Sequence, residues 1–194
     1  IAPVMLPHLG DRCVTMVRWP NGVDDKSFFQ KRCPEHRPDW VPVALGAGDR
    51  GGDINYCVLD STAALVWAAN LAALELHTPM TRAPDPTNPT MVVFDLDPGA
   101  PAGMTECAQV GLALRDTLGA LGLELLAKTS GSKGLQVYLP LNVDSTGPED
   151  GREFALAVAQ LMAKQMKDLV VVEQTKAIRK GKILIDWSQN TGQK

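Results

Sequence analysis

Short apolar runs alternate along this chain with three long stretches that read as helices, a pattern that predicts interleaved strands and helices. Strands are expected at residues 14–18, 40–44, 56–58, 124–128, 135–140 and 182–186, with a further edge strand at 170–172. Helices are expected at 26–31, 61–76, 105–121 and 149–166, the second N-capped by Asp60 or Ser61 and the third stopped by Gly122. Residues 83–89, punctuated by Pro84 and Pro86, read as a loop. No internal repeat or low-complexity segment interrupts the alternation. The fold class this implies is α+β, with mixed and antiparallel sheets whose helices cover one face while the other receives substrate.

The run Met91-Val92-Val93-Phe94 breaks into Asp95-Leu96-Asp97. A strand rises about 3.3 Å per residue and alternates faces, so both carboxylates point the same way, roughly 6.5 Å apart. A second apolar run, Ile183-Leu184-Ile185, ends in Asp186, and a neighbouring strand would bring that third carboxylate to the same place. Oxygen donors without a matching Cys/His set suit a hard divalent ion, Mg²⁺ or Mn²⁺, rather than zinc. The plain alternative is that a strand-end aspartate closes a turn, as Asp97-Pro98-Gly99 could.

Lys128 to Leu139 holds a Gly/Ser-rich turn, Ser130-Gly131-Ser132-Lys133-Gly134, between two apolar stretches. Glycine permits close backbone approach, hydroxyls and amides donate to phosphate oxygens, and Lys133 adds a compact charge. The P-loop spacing is absent and a strand follows rather than a helix. Read alone, such a loop is more often a solvated hairpin turn; beside an aspartate trio it completes a kit for phosphoryl or nucleotidyl transfer.

The 194 residues suffice for one well-formed core, and no apolar run approaches the roughly 20 residues of a membrane span. Net charge is −3, but nucleic-acid binding depends on local patches, and basic residues gather at 12–18, 26–37 and 176–182, where they are expected to line a strand-binding groove. The four cysteines, Cys13, Cys33, Cys57 and Cys107, have no repeated spacing and are expected as free thiols of a reducing cytosol; His8, Cys13, Cys33 and His36 form the one tempting zinc set.

Pro3 to Leu9, Arg18-Trp19-Pro20-Asn21-Gly22-Val23, Phe28-Phe29-Gln30-Lys31, Phe94 to Gly99, Thr129 to Leu135 and Asp186-Trp187-Ser188-Gln189-Asn190 resemble, in the family's order, the polymerase domain of bacterial DNA ligase D, of the archaeo-eukaryotic primase superfamily. The resemblance covers essentially the whole chain. It implies a primase-polymerase-like core over 1–194, trimmed at both ends, that adds nucleotides to a primer 3′ end at DNA breaks or gaps by two-metal catalysis. It implies that Asp95, Asp97 and Asp186 bind the metals, that Ser130, Lys133 and Arg179 contact the triphosphate, and that Lys31, His77 and Gln189 line the incoming-nucleotide pocket. It further implies Mn²⁺ use, two ions, a ribonucleotide preference, DNA ends and nucleoside triphosphates as substrates, Ku and a DNA ligase as partners, and a place in the bacterial cytosol and nucleoid.

By themselves His77 reads as a helix-end histidine and Arg179 as part of a basic run that is equally a solvated turn or a phosphate site. The family places a histidine where this chain has Gln136, and an amide cannot carry charge. Two other readings stay open. A haloacid-dehalogenase-like phosphatase also opens on a strand ending Asp-x-Asp, and a catalytically weak module could bridge DNA ends while a partner does the chemistry.

Overall fold

The computed structural model describes residues 1–48, 51–142 and 148–190. Its backbone gathers into two compact units, Ile1–Pro86 and a second that starts at Thr87.

The first unit begins with α1 (Ala2–Leu9) and continues through β1 (Thr15–Arg18), β2 (Phe28–Gln30), β3 (Val43–Ala47), β4 (Asp53–Cys57), α2 (Thr62–Asn70) and β5 (Ala73–His77). A short ribbon, β6 (Thr81–Arg82) with β7 (Asp85–Pro89), follows where the chain passes to the second unit. β1 is the middle of an antiparallel three-stranded sheet, β2-β1-β5, and β3 and β4 form a hairpin. Leu9, Val14, Met16, Val41, Leu59, Ala64 and Ala68 make the core of this unit. Ser61 caps α2, its hydroxyl accepting the Ala64 N–H at 3.2 Å, a contact worth about 1 kcal/mol.

Several expectations fail here for physical reasons. Within the helix expected at 26–31, Phe28–Gln30 is instead a strand, because the Phe28-Phe29 pair suits a pleated surface and finds β1 as a partner. The helix expected to reach residue 76 stops at Asn70; Ala72 turns left-handed (φ 56°) and Ala73 to His77 is an extended strand that pairs with β1, with a register shift between Val17 and Arg18. The strand expected at 40–44 begins at Val43, since Pro42 has no N–H for a ladder. Part of the expected loop at 83–89 is β7. Cys33 and Cys57 form a disulfide with Cα atoms 4.8 Å apart, while Cys13 and Cys107 are free and buried. The expectation of four free thiols is therefore wrong, and with Cys33 bonded the proposed zinc set loses a ligand.

The second unit runs β8 (Met91–Pro98), α3 (Met104–Gly119), β9 (Leu126–Thr129), β10 (Leu135–Pro140), α4 (Pro148–Gln165), β11 (Val170–Val171), a 3₁₀ turn at Lys176–Ile178 and β12 (Ile183–Asp186). Its strands lie in the order β11-β12-β8-β10-β9, with only the β11–β12 edge parallel among its described pairs. The sheet is mixed and the fold α+β, as the alternation implied. Val92, Phe94 and Leu96 of β8, Val137 and Leu139 of β10, and Ile183 and Ile185 of β12 point to one face. There they pack on Cys107, Val110, Leu114 and Leu118 of α3 and on Ala155, Val158, Ala159 and Met162 of α4. Alternation then sends Asp95 and Asp97 to the other face, half-buried between fully buried neighbours.

Candidate active site

β12 runs antiparallel to β8 with Asp186 opposite Asp95 and Leu184 opposite Asp97. On the other side of β8, Gln136 of β10 stands opposite Asp95, and Lys128 of β9 opposite Gln136. Directly paired residues share a face, so Asp186, Asp95, Gln136 and Lys128 form one row across four strands, with Asp97 one step along.

Burial and crowding act together on Asp95 within this row. Burial raises the Asp95 pKa, the Asp186 carboxylate adds to the rise and Asp97 adds further, while a side-chain hydrogen bond from Gln136 and the Lys128 charge oppose it. Gln136 is held in turn by Tyr138, whose hydroxyl donates to Oε1 at 2.7 Å, leaving the amide NH₂ for Asp95. Burial and then Asp95 push Tyr138 up to about 12, so it keeps that proton.

Asp97 faces two cations. Arg179 donates through Nη2 to Oδ2, and Lys133 Nζ lies 3.5 Å from Oδ1. Both cations arrive on loops seated against β8 by glycines. A Cβ on Gly99 would lie 1.9 Å from the Arg179 carbonyl oxygen, and one on Gly134 would lie 2.4 Å from that of Leu96. Backbone bonds from Gly99 N–H to Lys182 O (2.8 Å) and from Gly181 N–H to Gly99 O (2.9 Å) fasten the Arg179 loop to the end of β8. The Ser130 loop closes on itself: Ser130 N–H donates to Gly134 O at 3.0 Å, and Ser130 Oγ accepts from Gly134 N–H at 3.1 Å. The hydroxyl keeps its own hydrogen to donate outward.

Asp186 begins a tight turn. Its Oδ1 accepts Ser188 N–H at 2.9 Å and its Oδ2 accepts Gln189 Nε2 at 3.1 Å. Gln189 thus joins the carboxylate row.

Lys31 and His77 belong to the first unit. Lys31 directly follows β2 and His77 ends β5 opposite Thr15, so the sheet brings both to the same end. His77 is strand-borne, not the helix-end residue its neighbours suggested; its Nε2 pairs with Glu75, and its ring centroid lies 5.7 Å from that of exposed Phe29. Arg12, counted among the basic patch, is a structural residue: it is buried and donates to the carbonyls of Pro79 (2.9 Å) and Thr81 (3.0 Å). Arg18 is likewise engaged, with Leu71 O and Gln30 Oε1.

Residues 1–194 match the family described as LigD, primase-polymerase domain. The chain belongs to this family. As a LigD primase-polymerase domain it is a nucleotidyltransferase of the polymerase type, which sets aside the phosphatase reading. The chain is 41% identical over 202 aligned residues to the multifunctional non-homologous end joining DNA repair protein LigD of Mycobacterium tuberculosis, with all of this chain aligned to 26% of that protein. It is 30% identical to the bifunctional non-homologous end joining protein LigD of Bacillus subtilis, where 98% of this chain covers 30% of the relative. The chain thus spans under a third of these relatives. Among solved structures it resembles the polymerase domain of Mycobacterium tuberculosis ligase D in complex with DNA, with a TM-score of 0.92 and 41% identity, covering 100% of this chain and 69% of that one.

As the side chains stand, no group of three or more His, Cys, Asp or Glu among the described residues is gathered to hold a metal ion. Asp97 is turned to Arg179 and Lys133, and Asp186 to its own turn. The donor chemistry nevertheless fits a hard divalent cation: three carboxylates share a face, and after burial, the Asp186 and Asp97 charges add to the raised Asp95 pKa, a repulsion that a cation would relieve.

Sequence reasoning read Gly134 only as part of a phosphate-cradling turn and assigned no role to Gly99, Tyr138 or Asn190. The glycines and Asn190 sit inside the motifs that carried the resemblance, and Tyr138 follows Gln136 at the strand period, so the signal was spacing rather than chemistry.

Proposed function

We propose that this domain extends a primer 3′ end at a DNA break or gap, in bacterial non-homologous end joining, with Ku and a DNA ligase as partners and ribonucleotides preferred. The observation that carries it is the register placing Asp186 opposite Asp95 with Asp97 on the same face.

In this reading the 3′-hydroxyl attacks the α-phosphate, a new ester bond forms and pyrophosphate leaves. Ser130 and Lys133 bind the triphosphate, and Arg179 reaches it from the opposite loop as a bidentate donor. Gln189 borders the nucleotide beside Asp186, and the family resemblance is what gives Lys31 and His77 a role toward the incoming nucleotide. Two divalent ions, Mn²⁺ or Mg²⁺, held by Asp95, Asp97 and Asp186 would acidify the attacking hydroxyl and neutralise charge on the leaving group. Gln136 takes the place of a histidine and orients Asp95 as a neutral donor. The domain acts on DNA ends in the bacterial cytosol and nucleoid; no helix among the described residues is long and apolar enough to cross a membrane.

Primer extension with Mn²⁺ tests this. Product from the wild-type chain and none from Asp95→Ala or Asp97→Ala supports it, whereas equal product from all three rejects the assignment of the carboxylates.

A further inference from the structure

β12 pairs with β8 as far as Asp186 and then turns away. Val93, two residues before Asp95 on the same edge, is thereby left without a strand partner for its main-chain N–H and C=O, although it is 2% exposed. Asn190 fills that position. Its Oδ1 accepts the Val93 N–H at 2.7 Å, and its Nδ2 donates to Val93 O at 2.7 Å and to Trp187 O at 3.0 Å. Both amide hydrogens are used and the residue is 6% exposed, so its planar side chain imitates one more rung of the sheet.

The segment 186–190 is consequently pinned to β8 at both ends, by the backbone of Asp186 and by the side chain of Asn190. Within it the Asp186 carboxylate is directed by Ser188 N–H and Gln189 Nε2. We propose that Asn190 is a positioning residue of the polymerase site: by clamping Val93 it fixes the direction of Asp186 and the placement of Gln189. This rests on the reading of Asp186 as a metal ligand. Partners that orient a metal ligand typically carry ten- to hundredfold of metal affinity when lost.

Mn²⁺ binding to the full chain without nucleotide, followed by electron paramagnetic resonance, tests it. Asn190→Ala removes every amide contact, and Asn190→Asp keeps an acceptor for Val93 N–H but cannot donate to Val93 O. Val110→Ala, in the helix-packed core, serves as a control for lost stability alone. The expected result is Mn²⁺ binding weakened about ten- to a hundredfold in both Asn190 variants, with wild-type affinity in the core variant. Should Asn190→Ala fail to fold, Asn190→Asp decides alone. Wild-type affinity in the Asn190 variants, with binding lost in Asp186→Asn, overturns this inference and leaves the site reading standing. Wild-type affinity in Asp186→Asn overturns both.

Discussion

Asp186 faces Asp95 directly across the antiparallel ladder of β12 and β8, and the two like charges, with burial ahead of them, hold the Asp95 carboxyl above its ordinary pKa. Between the ordinary carboxylate pKa and the raised one the native state binds more protons, so stability falls as pH rises through that window. Asp95→Asn removes this loss. In the presence of a chelator the variant is expected to melt higher than wild type at neutral pH, with the gap closing under acid. Parallel melting curves at every pH would contradict it.

Gly99 and Gly134 let two cation-bearing loops lie against the backbone of β8 or its continuation. A methyl group at Gly99 meets the Arg179 carbonyl carbon at 2.7 Å as well as its oxygen, and the atoms it strikes are backbone. Gly99→Ala and Gly134→Ala should each lose about 1–3 kcal/mol, or roughly 2–4 °C of melting temperature per kcal/mol. Gly131→Ala meets no atom within 4 Å and instead strains a φ of 90°. Thermal melts distinguish the cases: unchanged melting in the first two would refute the close approach.

Much of this arrangement was legible in the residues. An apolar run, Met91 to Phe94, breaking into Asp95-Leu96-Asp97 suffices to place both carboxylates on one face of a strand, and the strand at Leu135–Pro140 is legible because Gly134 and Pro140 bound a mostly apolar stretch. What was missed lay where tertiary pairing overrode local preference. Leu74 and Leu76 extend a helical spacing from α2, yet β1 claims that segment as a strand. The Cys33–Cys57 bridge joins residues 24 apart, a distance that no local pattern reports. Arg12 looked like part of a surface patch because sequence cannot show that the carbonyls of Pro79 and Thr81 bury it.

Lys133 is 66% exposed, and its pairing with Asp97 at 3.5 Å contributes little to stability. Lys133→Ala is expected to melt within about 0.5 kcal/mol of wild type, while the nucleotide KM rises roughly ten- to a hundredfold through loss of a charged phosphate contact. Steady-state kinetics of primer extension decide it; an unchanged KM would remove Lys133 from the triphosphate site.

The disulfide closes a loop that an open chain would explore, worth about 3–4 kcal/mol by chain entropy. Cys33→Ser, or reduction, should lower the melting temperature. Thiol titration of the chain unfolded without reductant should count two of the four cysteines, Cys13 and Cys107. Four reactive thiols would contradict the bridge.

The central claim is that Asp95, Asp97 and Asp186 together hold the catalytic ions. An anomalous-scattering map from a crystal soaked with Mn²⁺ and a nucleoside triphosphate measures this directly. The account predicts manganese bound by all three carboxylates, with Asp97 released from Arg179 and the triphosphate lying on the Ser130 loop. Manganese elsewhere, or any one of the three aspartates turned away from it, would contradict the account.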